Sequence, residues 1–458
     1  MGDDRRGRRT EGGGLTDAQE WRRTVPALVA GFTISIVFAA VLSIVLTAAG
    51  PGGLGLSHEQ TSGWIALIYG LPMLPSVVLS LRYRMPLLLT GNIFALIFFA
   101  TLGDRVIFSD LGGAAILAGG LVLLTAALGL TGRIAGWIPM PIVQGLVAGA
   151  VLPFVVDIFS AVDTADDRIP IEVPIMVGSA VVAYLIGQRV LGTRFPAIVP
   201  AFLAGLIAAA LTGQLGALPS LFELPRFDFV GPTFSWTAIA TVTPVLVALM
   251  TVQSNVPSVV YLRSQEFDPP ERPLNVISGI ATLFGSMLGP ITVSLALPPL
   301  LVAAGPAAGD RAIRYRAIYL PVVAALLIAL FANAASELAV LVPPVLLLTM
   351  AGLALLPALI AALRAIIAGP LVLGPVLAFA IALSEISLFG LGPFFWSLVL
   401  GTLVSLLFER DGWTELRSIS RDVVPTVPAG SPPPVPPRAS RSGRGDGRGR
   451  RGGRFVIG

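Results

Sequence analysis

From Val25 to Phe408 the chain is a succession of apolar runs separated by short segments rich in glycine, proline and charge. A helix crosses the hydrocarbon core of a bilayer in about 20 apolar residues, and these runs have that length or approach it. A chain built this way has lipid as its solvent, and it must satisfy its backbone polar groups internally. The expected class is an all-α polytopic membrane protein.

Composition narrows the chemistry. Only 12% of residues are charged, there is no cysteine, the single histidine is His58, and all 30 basic residues are arginine. Thiolate metal sites, histidine-based triads, a Walker lysine and Schiff-base chemistry are thereby removed, so we expect neither an enzyme nor a cofactor or metal site. Six arginines precede residue 25, ten follow residue 408, and 14 lie between. The arginine-rich tail lacks the interleaved aromatics of a stacking surface, which argues against nucleic acid as a partner.

Fourteen runs are predicted to span: 25–48, 62–81, 86–102, 112–131, 138–156, 173–190, 196–213, 236–256, 273–289, 291–305, 317–332, 337–363, 371–387 and 393–408. With the N-terminus inside, eleven loop arginines fall on the cytoplasmic side and only Arg105, Arg168 and Arg226 fall outside. That asymmetry places both termini in the cytoplasm. Residues 1–24 and 409–458 are expected to be unstructured cytoplasmic tails, because their composition cannot bury a core.

Two runs are unusual, and they are the third of each set of seven. MPLLLTGNIFALIFFATLG (85–103) and GPITVSLALPPLLVAAG (289–305) both place a β-favouring stretch before a helix-start signal. Asn92 suits an N-cap, and Pro298 with Pro299 suits a first helical turn. Matched interruptions predict a 7+7 inverted repeat, 25–213 against 236–408, with broken third and tenth spans around a central site. Two half-helix N-termini meeting there would hold a carboxylate, and with no basic side chain nearby they would favour a monoanion over a dianion. The candidate substrate-binding residues are Thr90, Gly91 and Asn92 at the first break and Thr292 and Ser294 at the second. A polar cluster in the eighth span, Gln253, Ser254 and Asn255 just before Pro257, joins them, since amides in hydrocarbon face an interior or a cavity.

These segments resemble the benzoate/proton symporter family of bacterial inner membranes. SGWIALIYGLPMLPSVVLSLRYRMPLL (62–88) is similar to the family's second span, LGLTGRIAGWIPMPIVQGLVAGAVLPFVVDIF (128–159) to its fourth and fifth, and LFGLGPFFWSLVLG (388–401) to its last. QSNVPSVVYLRSQEFDPPERPLNVISGIATL (253–283) resembles its Asn-x-Pro segment, here Asn255 and Pro257. The resemblance implies the architecture of uracil/xanthine permeases and of sulfate and bicarbonate carriers, in which a core domain moves against a gate domain. It further implies a secondary active transporter of a small, aromatic organic acid such as benzoate, coupled to protons, in the bacterial inner membrane. The chain departs from the family at both breaks, with Leu89-Thr90-Gly91-Asn92-Ile93 in place of a Trp-Ser-Thr-Pro-Gly stretch and Ile291 where a histidine is expected. Candidate proton relays are therefore sought further off, at Glu385, Glu337 and Asp157; the other coupling routes are a weak acid that crosses protonated, and sodium held by backbone carbonyls at the helix breaks. Transport of nucleobases or inorganic anions on the same fold, and a non-transporting scaffold, are the alternatives, and a homodimer is compatible with either.

Overall fold

The computed structural model describes residues 17–131, 138–160, 162, 170–191, 196–216, 223–225, 230–384, 386, 388, 389 and 391–423. Its first half contains α1 (Asp17–Ala49), α2 (His58–Gly70), α3 (Met73–Tyr83), β1 (Leu89–Gly91), α4 (Ile93–Leu102), α5 (Phe108–Ala127), α6 (Met140–Ser160), α7 (Glu172–Leu191) and α8 (Ile198–Leu211). The second half opens with α9 (Trp236–Ala248), which runs through a π-helical turn (Leu249–Asn255) into α10 (Val256–Ser264). It continues with α11 (Glu271–Gly285), β2 (Val293–Leu295), α12 (Leu297–Ala303), α13 (Tyr319–Leu330), α14 (Ala332–Leu341), α15 (Pro344–Ala368), α16 (Leu373–Leu383), α17 (Pro393–Phe408) and α18 (Arg410–Val423). Among the described residues, eight helical stretches are long and apolar enough to cross a bilayer alone, or nine if the bent pair α17 and α18 is counted. The other expected crossings are shorter or interrupted, such as α4, α8 and α16.

The helices carry apolar side chains on their outer faces as well as inside. Leu203, Ile207, Leu211 and Val190 are all exposed, the pattern of a surface that meets lipid rather than water. Lipid gives helices no hydrophobic reason to associate, so close backbone approach through small residues does that work. Gly119 on α5 and Gly279 on α11 show it: a Cβ on Gly119 would sit 2.6 Å from the Leu283 nitrogen, and one on Gly279 would sit 2.6 Å from the Leu123 nitrogen. Two packed groups result, with α1 between them. In one, α5 packs on α9 and α11, and α13 on α1 and α2; in the other, α6 packs on α15 and α16, α16 on α17, and α7 on α8; α1 also packs on α15.

Both interruptions fall where the sequence puts them. β1 and β2 pair antiparallel, Leu89 opposite Leu295, Thr90 opposite Ser294 and Gly91 opposite Val293. Three-residue strands leave most of their backbone unpaired, and inside a membrane those groups need partners. Hydroxyls on the preceding helix supply them in both halves. On α3, Ser76 accepts from the Leu89 N–H (2.9 Å) and donates to the Leu89 carbonyl (3.0 Å), and Ser80 does the same for Leu87 at 2.9 and 3.1 Å. At the end of α11, Thr282 accepts from the Val293 N–H (2.8 Å), while Ser286 donates to the Ile291 carbonyl (2.8 Å) and accepts its N–H at 3.4 Å. Each hydroxyl pair is spaced i, i+4, so both members share a helix face.

The expected boundary of the second tail needs correction. Residue 409 does not open an unstructured segment, because α18 follows at once, bent 102° from α17. The turn is fixed by Glu409, whose Oε1 accepts from the Val372 and Leu373 N–H groups (2.6 and 2.7 Å) and whose Oε2 accepts from the Gly374 N–H (3.0 Å) and the Ser405 hydroxyl (2.7 Å). A carboxylate thus caps α16 from outside its own helix. α1 likewise begins at Asp17, inside the expected N-terminal tail.

Partial burial of Glu409 opposes its charge, but the hydrogen bonds from Gly374, Ser405, Val372 and Leu373 outweigh that and hold its carboxyl below the ordinary glutamate value of 4.5. A depressed carboxyl stabilises the fold above its unfolded value and loses that contribution as pH falls through the folded one. Replacing Glu409 with Gln is expected to lower stability by about 1–2 kcal/mol, read as a lower melting temperature in detergent. The gap between wild type and variant should be full at pH 6–7 and close only below 4.5.

Candidate functional site

Asn92 joins the two breaks. It is 3% exposed and caps α4, its Oδ1 accepting from the Phe94 and Ala95 N–H groups at 3.0 and 3.2 Å. Its Nδ2 lies within hydrogen-bond distance of the Ser254 hydroxyl (2.9 Å), the Ser294 hydroxyl (3.0 Å) and the Leu249 carbonyl (3.2 Å). Its own N–H donates to the Thr292 carbonyl at 2.7 Å. One side chain therefore binds the first half-helix, the second strand and the π-helical turn into a single unit.

Asn255 plays a comparable part from the other side of the π-turn. Its Oδ1 accepts the Leu295 N–H at 2.8 Å, and its Nδ2 donates to Asn275 Oδ1 (2.9 Å) and the Ser278 hydroxyl (3.3 Å) on α11. Ser258, one turn on, donates to the Leu295 carbonyl at 3.1 Å. The π-turn frees this geometry: the Val256 N–H reaches back to the Thr251 carbonyl, which inserts an extra residue and rotates Gln253, Ser254 and Asn255 relative to the helix before them. Pro257 sits in the first turn of α10, where a missing N–H does no harm.

A cavity of about 510 Å³ opens beside this knot, within the range of small-molecule sites. Thr90, Gly91, Asn92, Gln253, Ser254 and Ser294 line it. Asn255 and Thr292, also expected there, do not; Thr292 is buried with its hydroxyl unpartnered. The remaining wall is mostly apolar, with Phe38 and Val41 from α1, Phe94 from α4, and Leu353 and Pro357 from α15. Gln144 on α6 and Tyr184 and Gln188 on α7 add polar groups to the lining, with Gln188 Nε2 donating to the Tyr184 hydroxyl at 3.1 Å. None of the described residues lining the cavity is an arginine, lysine, histidine, aspartate or glutamate.

Asn92 caps α4 and Pro298 with Pro299 stand in the first turn of α12, as the sequence reads. The helix ends expected to hold a carboxylate are thereby less open: Asn92 takes two N–H groups of α4, and the prolines remove two from α12. Each half-helix keeps a single uncommitted first-turn N–H, that of Ile93 and that of Leu297. Of the candidate relays, Glu337 and Asp157 do not line the cavity. Glu337 belongs to a cluster on α14, 3.8 Å from His58 and accepting from Asn333 at 3.2 Å; Asp157 is exposed on α6; Glu385 lies outside the described residues.

Sequence reasoning missed the hydroxyls that hold the strands and the polar groups opposite them. The first had a signal, namely Ser-x-x-x-Ser at 76–80 and Thr-x-x-x-Ser at 282–286, each ending a few residues before a break. Gln144, Tyr184 and Gln188 had only their polarity within apolar runs.

The model of the benzoate membrane transport protein family matches residues 22–407. The chain is 25% identical over 395 residues to the benzoate membrane transport protein of Acinetobacter baylyi, covering 86% of this chain and 97% of that protein. It is 25% identical over 394 residues to the inner membrane protein YdcO of Escherichia coli, covering 84% and 97%. Among solved structures, the transmembrane domain of the cyanobacterial bicarbonate transporter BicA superposes with a TM-score of 0.50 at 16% identity, covering 84% of this chain and 97% of that one. The murine anion transporter Slc26a9 in its inward-facing state superposes with a TM-score of 0.53 at 13% identity, covering 86% and 69%. At such identities the structural likeness speaks to fold alone.

The hydrogen bonds separate residues that hold the site from one that is free to use it. Asn92→Ala and Asn255→Ala each leave buried backbone groups unmade and should cost about 1–3 kcal/mol apiece. Gln253→Met removes an amide that makes no hydrogen bond within the protein and should leave the melting temperature unchanged or raised. Thermal melts of the three variants in one detergent would check this ordering.

Proposed function

We propose, given that the chain belongs to the benzoate membrane transport protein family, that it is a proton-coupled secondary active transporter of a small aromatic carboxylic acid in the bacterial inner membrane. The observation that carries the reading is the cavity's lining, because it combines two kinds of group. Uncharged hydrogen-bonding side chains come from both breaks, the π-turn, α6 and α7, and apolar ones such as Phe38, Val41, Phe94 and Pro357 come from α1, α4 and α15. An aromatic ring with one carboxyl group matches that combination.

Alternating access takes support from where the cavity lies. Its walls come from α1 to α4, the π-turn and α12 on one side, and from α6, α7 and α15 on the other. These follow the two packed groups of the fold, which meet where α1 packs on α15, so we read α1–α5 with α9–α13 as a core and α6–α8 with α15–α17 as a gate. On that reading the chain makes fourteen crossings as a 7+7 inverted repeat with both termini cytoplasmic. The matched hydroxyl pairs, Ser76 with Ser80 and Thr282 with Ser286, support the repeat because they serve the two strands in the same way. Rocking of one group against the other would expose the breaks to each side in turn.

Inorganic anions are a second reading, favoured by the structural neighbours. The largely apolar wall speaks against it, since a strongly hydrated ion would find few replacements for its water. Purified protein in liposomes should accumulate labelled benzoate when the outside is made acidic, and a protonophore should abolish that accumulation. Uptake of bicarbonate or sulfate with none of benzoate would contradict the assignment.

A further inference from the structure

We propose that the arginine-bearing end of α3 and the adjoining face of α13 bind an anionic phospholipid, its phosphate on Arg82 and Arg84 and its acyl chains along the two helices. The site lies on the lipid-facing surface and does not depend on what the central cavity carries.

The first observation is how arginines on this membrane face are used. Arg263 pairs with Glu271, and Arg311 pairs with Glu266 at 3.0 Å. Arg272 donates to the Ala127 carbonyl at 2.8 Å, and Arg314 donates to the Gly309 and Ala304 carbonyls at 2.9 and 2.7 Å. Arg82 and Arg84 are exposed, and among the described residues neither has a carboxylate or a hydrogen-bond partner. Each guanidinium lies instead over a ring, Arg82 at 5.9 Å from the centre of Tyr83 and Arg84 at 5.6 Å from that of Tyr315. A contact of that kind orients the cation through its face and leaves the N–H donors at its rim for an anion.

The second observation is the backbone of Arg84. It ends α3 with φ 55° and ψ 37°, the left-handed conformation that glycine ordinarily supplies at this position. A side chain kept there at a cost points to a use for it. What the turn achieves is the placement of the guanidinium over Tyr315, in the short 3-10 helix Arg311–Ile318 that leads into α13. That ring is buried and fixed edge-on against Tyr319 at 6.1 Å.

The third observation lies below the arginines. Leu74, Val78 and Leu81 recur at i, i+4 and i+7 on α3, and Leu320, Val323 and Leu327 at i, i+3 and i+7 on α13; all six are exposed, and the two helices pack on one another. From Tyr319 to Leu330 α13 rises about 17 Å, close to the depth of one leaflet. A lipid whose chains lie on this face therefore has its headgroup level with Arg82 and Arg84. Guanidinium groups match phosphate oxygens in pairs. Phosphatidylethanolamine would bring an ammonium into the same basic surroundings, whereas phosphatidylglycerol brings only the negative charge, so the site selects the anionic lipid.

The test is photo-crosslinking of the full-length protein in detergent with phosphatidylglycerol that carries a diazirine on its acyl chain. Cross-links should map to residues 74–81 and 319–330, and unlabelled phosphatidylglycerol should compete where phosphatidylethanolamine does not. Arg82→Gln combined with Arg84→Gln should cut labelling there about tenfold, while Arg82→Lys with Arg84→Lys, which keeps both charges, should retain more of it. The competition in wild-type protein decides the question even if the glutamine variant does not fold. Labelling spread evenly over the lipid-facing helices, or competed equally by both lipids, would overturn the proposal. So would cross-linking of two copies of the chain through this face with no lipid labelled.

Discussion

A chain that breaks two helices inside a bilayer has to answer for every N–H and C=O it frees, and the rest of this structure depends on how it does so. The answer is a strand pair of three residues each, held by hydroxyls from α3 and α11 and knotted by two asparagines. Asn92 matters most, because it caps α4 and grips both the second strand and the π-turn. Without that accounting the breaks would be unaffordable in lipid. With it, two half-helices end beside a cavity in which none of the described lining residues is charged.

The same accounting limits what the breaks can offer a ligand. Capping by Asn92 and the two prolines of α12 consumes most of the first-turn N–H groups, so the helix ends supply less positive potential than two open turns would. What the π-turn adds is the amide of Gln253, which lines the cavity beside the Ser254 hydroxyl.

The breaks were legible in the sequence because each carries two local signals in series: β-favouring residues, then a helix start, Asn92 in one half and Pro298 with Pro299 in the other. The polar cluster of the eighth span was legible for a different reason, since three adjacent polar residues cannot all face lipid. Which of them faces the cavity was not. That depends on the rotation imposed by the π-turn, which turns Gln253 and Ser254 toward the cavity and Asn255 toward α11. Serines such as Ser76 and Ser80 were passed over because a lone hydroxyl in a transmembrane helix ordinarily bonds its own backbone. α18 was missed because a polar, arginine-bearing stretch reads as tail until Glu409 is seen to fix the turn before it.

The central proposal is spatial: on it, an aromatic acid sits with its carboxyl group against the π-turn and its ring among the apolar residues of the lining. A cryo-EM map of the protein with 4-iodobenzoic acid bound would test it most directly, since the iodine marks the far end of the ring. We expect the carboxyl group within hydrogen-bond distance of Gln253, Ser254 or Ser294, and the iodine toward Phe38, Val41 and Pro357. Ligand density outside this cavity, or the reverse orientation with iodine against the breaks, would contradict the account.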